Sequence, residues 1–410
     1  MPPVPPGDDD EFGDVYGDLS QAVPVADPRR RDFAPWHHPV KQLVRDRQWA
    51  EQTRRLLRAR PASEAPLRYF TLPGADFFDV RVLSTVCQEF GVRVEYFGFD
   101  AARRRGDGSD DDPGLQGPPT TAESALRQAG RVTPDSVVVP DRLETIVVAD
   151  SQASFRLSQQ RHFDVVNLDA CSHLTFSPPG RSETTFDALQ RLLAHQMVGR
   201  TPWLLFVTTR IDPALFGAPG DTFKRAIEAN LEVSSDVFGP ALADALGTPL
   251  SELTGALGAT WSTHDVNFAK LYVVGFGKYL TQFFLGQPNH PARVELKSTY
   301  AHRVWSDEPD MLALAFLITP ENPPPLQPST GGTVTTAALE PERAARIARR
   351  VKGIRDLDAV QDVLPDAFKG AVQGTLDLLK SGAYDTAAWV EWLANHGERP
   401  VTLDVDEYSL

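Results

Sequence analysis

Only two cysteines, Cys87 and Cys171, occur in 410 residues. That is too few for a disulfide framework or a cysteine metal site, and a reducing cytoplasm is the expected compartment. No apolar run is long enough to span a bilayer. The start, MPPVPPGDDDEFGD, lacks a basic segment leading into an apolar stretch, so a signal peptide is not expected. Cations are also short, with 41 bases against 55 acids and a formal net charge of −14. Such a balance argues against a general binder of nucleic acid or anionic membrane, though it leaves room for a local basic patch. Much of the acidic excess lies in residues 8–11 and 107–112, within Gly- and Pro-containing stretches that read as solvated or disordered. A GxSxG turn and a plausible metal set are both missing, which disfavours a hydrolase. No internal repeat is evident.

What is present suffices for a large core, since 41% of residues are hydrophobic. The chain is organised around residues 67–100, LRYFTLPGADFFDVRVLSTVCQEFGVRVEYFGFD. Residues 68–72 form a β-rich run that Pro73-Gly74 punctuates. Val80, Leu83, Cys87 and Phe90 then recur at steps of three and four, the apolar stripe of a helix that Gly91 stops. Residues 92–99 give a second strand ending on Asp100. Two parallel strands joined by a crossover helix open a doubly wound sheet, whose ligands sit beyond the carboxyl ends of the strands. Gly74, Asp76 and Asp100 would all lie at that edge.

Along the chain, residues 1–30 read as a disordered acidic and Pro-rich terminus and 31–66 as a basic helical segment carrying Trp36, His37, His38, Lys41, Arg45 and Trp49. That segment either covers one face of the sheet with its arginines in solvent or forms a lid facing substrate or phosphate. His37 and His38 are adjacent and cannot be assumed to share a metal. A third strand is expected at 144–149, ending at Asp150-Ser151, a fourth at 163–168 and a fifth at 202–208, with helices between them. Residues 212–286 read as a helical insertion, and two β-runs at 292–303 and 311–319 as a closing hairpin. Residues 321–340 have linker composition, and 341–410 read as a small helical module able to serve as a partner surface.

Five strand–helix units followed by a β-hairpin resemble the class I S-adenosylmethionine-dependent methyltransferases. The resemblance covers about residues 67–320 and rests on the order of elements more than on a motif. It implies an α/β fold, a seven-stranded, doubly wound, mostly parallel sheet ending in a β-hairpin, with S-adenosylmethionine as cofactor and no metal. It further implies that the first turn, with Gly74 and Asp76, cradles the methionine part, that Asp100 binds ribose, and that Asp150 and Ser151 meet the adenine. Asn167 and Asp169, at the end of the fourth strand, would face the transferred methyl group. The family's first turn usually carries two or three glycines, and here Gly74 stands alone.

Beside that reading stand plainer ones. Asp100 is also placed to cap the next segment, and Asp150-Ser151 to cap a helix. Cys171 with His173 would need a thiolate to act as a nucleophile, and a small buried thiol is the commoner case. Nicotinamide cofactors are disfavoured, because no GxGxxG follows the first strand. An inactive methyltransferase-fold interaction protein, resembling bacterial methyltransferase-like proteins found beside mobile-element or defence genes, is the alternative to an enzyme.

Overall fold

The computed structural model describes residues 29–61, 64–101, 121–322 and 336–396. The expected disordered terminus, the acidic run at 107–112 and most of the linker lie outside these residues.

Strands and helices alternate from the first strand onward: β1 (Leu67–Thr71), α3 (Phe78–Gln88), β2 (Val94–Phe99), α4 (Thr121–Gln128), β3 (Val137–Val139), α5 (Gln152–Ser158), β4 (Val165–His173), α6 (Thr185–Gln196) and β5 (Trp203–Arg210). Helices α7 (Ala218–Val233), α8 (Phe238–Leu246), α9 (Leu253–Thr260) and α10 (Val266–Leu285) follow, then β6 (Ala292–His302) and β7 (Met311–Pro320). The third strand is not at 144–149: residues Leu143–Val147 form a 3-10 turn, and Val137–Val139 pairs with β2 instead. The ETIVV run has strand composition, but Ile146 is buried while Val147 and Val148 are exposed, which suits a wrapped turn more than a pleat.

Sheet order is β3-β2-β1-β4-β5-β7-β6-β8, so the sheet has eight strands among the described residues and not seven. The extra one is the two-residue β8 (Arg355–Asp356), which pairs parallel to β6. Strands β1 to β5 are mutually parallel, and β7 inserts antiparallel between β5 and β6. The chain moves outward from β1 to β3, then returns to place β4 on the other side of β1. The crevice between β1 and β4 is therefore the switch point, where open α/β sheets bind ligands.

Alternation along the central strands divides the core in two. Phe70, Phe97, Val166, Leu168, Leu205 and Val207 face the layer built from α5 to α10 and a later helix, α11 (Thr336–Val351). Tyr69, Tyr96, Val165, Leu204 and Phe206 face α3 and the N-terminal helices. The latter run as α1 (Pro39–Val44), a π-helical turn (Arg45–Ala50) and α2 (Glu51–Ala59).

The last helices take both sides of the sheet. Helix α11 (Thr336–Val351) buries Ala344, Ile347, Ala348 and Val351 in the larger core. Its Glu340 meets the fully buried Lys278 of α10 at 2.6 Å. Past the short α12 (Val360–Val363), α13 (Pro365–Ser381) and α14 (Thr386–His396) pack instead against the N-terminal segment. Trp389 donates its indole N–H to the His37 carbonyl. No helix among the described residues is long and apolar enough to cross a membrane.

Candidate functional site

At the carboxyl edge of β1 and β4, polar side chains replace the apolar ones that precede them. Tyr69 and Thr71 alternate on one face of β1, and Asn167 and Asp169 on the same face of β4, because side chains repeat every second residue. Asp79, in the first turn of α3, receives the Tyr69 hydroxyl at 2.7 Å and the Thr71 hydroxyl. Tyr69 in turn accepts from the Asn167 amide at 2.9 Å. All four groups are buried. One oxygen each of Asp79 and Asn167, Oδ1 in both cases, is buried without a hydrogen-bond partner. Unpaired buried acceptors are costly, and in native folds they concentrate where something else completes them. Burial raises the Asp79 carboxyl above its usual range, against the pull of Thr71 and Tyr69.

The helix that presents Asp79 starts under strain. Phe77 takes a left-handed conformation, φ 55°, unusual for a bulky side chain, and buries its ring against Tyr96. Just before it, Gly74 has φ 57° with open space where a Cβ would be, so this lone glycine serves the turn. Close backbone approach comes from Gly98 on β2: a Cβ there would stand 2.8 Å from the Thr71 carbonyl oxygen. Gly98→Ala is expected to cost about 1–3 kcal/mol, read as a lower urea midpoint at unchanged m-value.

Beyond Asp169 the register shifts, with four steps along β4 to His173 against two along β5 from Thr208 to Arg210. Such a bulge re-aims strand-end side chains. Asp169 is half-buried and pairs with Lys41, whose ammonium also reaches Thr208 at 3.5 Å and lies 4.9 Å over the Trp49 ring. Lys41 comes from α1, so the N-terminal segment supplies part of the strand-end cluster.

Arg45, one helical turn on, is buried rather than in solvent, and hydrogen-bonds the Trp36 carbonyl at 2.9 Å. The π-helical turn that follows keeps Gln48 on the sheet, donating to Ser298 and the Ala313 carbonyl. Single π-turns often mark functional positions. His302, at the end of β6, is buried near Lys41 and His38; burial first, then Lys41, pushes its imidazole down to about 3.

The other expected site residues are distributed differently. Asp100 stands half-buried at the end of β2, its amide donating to Val139. Asp76 is tied by Arg30 at 2.5 Å and by the Tyr384 hydroxyl at 2.8 Å, which joins the first turn to both ends of the described chain. Asp150 and Ser151 do not end a strand. Asp150 is exposed in a left-handed conformation, φ 61°. Ser151 caps α5, accepting from the Ser154 amide and donating to the Thr145 carbonyl. Of Cys171 only the backbone is described. His173 is buried against Tyr272 and Phe216, with Thr175 on its Nδ1. His37 and His38 serve local structure: His37 Nδ1 accepts from the Ala34 amide, and His38 caps α1. Among the described residues no three side chains of metal-ligating type converge.

Sequence reasoning missed Tyr69, Thr71 and Asp79, and it placed Lys41 and Arg45 in a segment read either as a cover with its arginines in solvent or as a lid. One signal was available: Asp79 sits four residues before Leu83, on the buried stripe of α3, where an unpaired acid is out of place.

The family model described as PP_RS20740-like matches residues 30–394, nearly all of the described fold. The chain belongs to the PP_RS20740-like family. No curated protein and no solved structure matches it. The matched span begins at Arg30 and runs to Ala394, so it contains the N-terminal helices and most of α14 together with the sheet. The Arg30–Asp76–Tyr384 junction, the Lys41–Asp169 pair and the Asp79 cluster all fall inside the family's unit.

Proposed function

We propose that this protein is an S-adenosylmethionine-dependent methyltransferase, acting on an acceptor not yet identified, with its site at the β1/β4 switch point. The observation that carries the reading is the pair of buried, unpartnered acceptors, Asp79 Oδ1 and Asn167 Oδ1, at the strand edge where such sheets bind ligands. They suit a cationic amine, the kind of group at the methionine end of the cofactor. In this reading Asp100, at the end of β2, accepts from ribose hydroxyls. Five mutually parallel strands and a hairpin whose return strand lies beside β5 also support the reading.

When bound, the cofactor supplies an electrophilic methyl group. The chain's own part is positioning, which accounts for much of the rate in an in-line displacement. Asp169, at the re-aimed end of β4, orients the acceptor and takes its proton. Lys41 pairs with that carboxylate, with Thr208 and the Trp49 ring beside the ammonium. Asn167 fixes the Tyr69 hydroxyl and so the Asp79 carboxyl.

Calorimetric titration with S-adenosylmethionine tests this reading. Micromolar binding is expected, weakened at least about 30-fold, near 2 kcal/mol, in Asp100→Ala and Asn167→Leu. No heat at millimolar cofactor would overturn it. A second reading, an interaction protein that keeps the fold, is favoured by one feature: Asp76, the acid of the first turn, is occupied by Arg30 and Tyr384.

A further inference from the structure

The β6 edge of the sheet carries a charge of the wrong sign for the molecule. Between β6 and α11 runs an open groove of about 360 Å³ lined by Arg293, Lys297, Arg343, Arg346, Arg349 and Arg350, with Glu295 the only acid in its lining. Five of the six cations are arginines, whose planar guanidinium groups suit the bidentate geometry of phosphate. Arg343 is the built part of the groove: mostly buried, it is anchored to Glu321 at 2.9 Å and to the Ala292 carbonyl at 3.2 Å. Arg293 and Lys297 share Glu295, at 3.2 and 3.7 Å, so one carboxylate serves two cations. Among the described residues Arg346 pairs only with its exposed neighbour Glu342, at 3.8 Å. No carboxylate among the described residues pairs with Arg349 or Arg350, both exposed at the end of α11.

We propose that this groove binds the phosphodiester backbone of a nucleic acid duplex, independently of base sequence. Spacing supports that partner. Arg343, Arg346 and Arg350 follow one another at three and four residues, a single helix face about 10 Å long at about 1.5 Å per residue. Phosphates of one strand recur about every 3.4 Å along a duplex axis, so the row spans about three of them. The lining holds no aromatic ring on which a base would stack, which leaves the backbone as the part contacted. Net charge −14 means the whole-molecule field repels a polyanion, so capture has to be local to this face. An acidic peptide would meet the same charge, but its carboxylates are neither as dense nor as regularly spaced as duplex phosphates.

Fluorescence anisotropy of the full chain, with labelled duplexes of about 20 base pairs in about 50 mM salt, tests the proposal. Separate DNA and RNA arms identify the source of the backbone. Binding to at least one is expected, weakened at least tenfold in the double variant Arg349→Ala/Arg350→Ala, with the salt slope reduced by about two. Both positions are exposed, and an unchanged melting temperature shows that the variant is folded. Arg58→Ala, on α2 across the sheet, is expected to bind as the parent does. Absence of binding to either duplex, equal loss in Arg58→Ala, or equal competition by polyglutamate would overturn the proposal. Each arm is run without cofactor, so failure here is distinct from failure of the methyltransferase reading.

Discussion

Acidification from about pH 7.5 to about pH 5.5 is expected to cost the fold on the order of 4 kcal/mol, set by four histidines depressed by burial at about 1.4 kcal/mol per pKa unit. Burial, then Arg45, pushes His37 down to about 3. His302 is held at about 3 by burial and Lys41, His173 at about 4 mainly by burial, and His38 at about 4 by burial. Each stays neutral in the folded chain while the unfolded chain takes up a proton below about 6.5. Their contribution is therefore fully present above about 6.5 and is lost as the pH falls toward 4 and then 3. Asp310 works in the opposite sense. Burial raises it from 3.8 to about 6, despite the Val304 and Trp305 amides, so below pH 6 the folded state holds a proton that the unfolded state lacks. That offsets part of one histidine, and the raised Asp79 offsets a further part. Urea unfolding at half-unit pH steps measures the net, and His302→Asn should shrink the fall by about a third. A midpoint that does not move between pH 7.5 and 5.5 would show that these imidazoles are solvated in solution.

Asp79→Ala is expected to destabilise the protein by about 3 kcal/mol, because it strands two buried hydroxyls, each costing about 1–3 kcal/mol when unpaired. The Tyr69 and Thr71 hydroxyls both point at this carboxyl, and Tyr69 carries the Asn167 amide in addition. Replacing the whole set tells the two roles of the cluster apart. The triple variant Tyr69→Phe/Thr71→Val/Asp79→Leu removes donors and acceptor together, so most of the lost stability should return. Ligand binding should not return with it, because the acceptor is gone. Recovery of stability without recovery of S-adenosylmethionine binding marks the cluster as a site. If Asp79→Ala alone is neutral in urea, the carboxyl is not the keystone that its contacts imply.

Periodicity along the chain determined the alternation of strands and helices, the helical insertion and the closing hairpin. These are local properties: strands repeat every two residues, helices every 3.6, and glycine and proline punctuate both. Where local composition is ambiguous the sequence misled, as with ETIVV at 144–148, which has strand residues but wraps as a 3-10 turn while the shorter VVV at 137–139 takes the pairing. Asn167 and Asp169 were legible because they break an apolar strand at its carboxyl end. Their partners were not. Lys41 lies 128 residues from Asp169, and Tyr384 lies 308 from Asp76; no spacing rule connects such positions. Burial is likewise decided by what packs from elsewhere. Arg45 has the composition of a solvated helix face and is enclosed only because α1 and the π-turn lie on the sheet. The sequence alone thus set most of the elements and named the strand edge where the buried polar cluster lies. Tertiary structure alone chose which distant charges meet there, because pairing across hundreds of residues depends on the packed sheet and on no local preference.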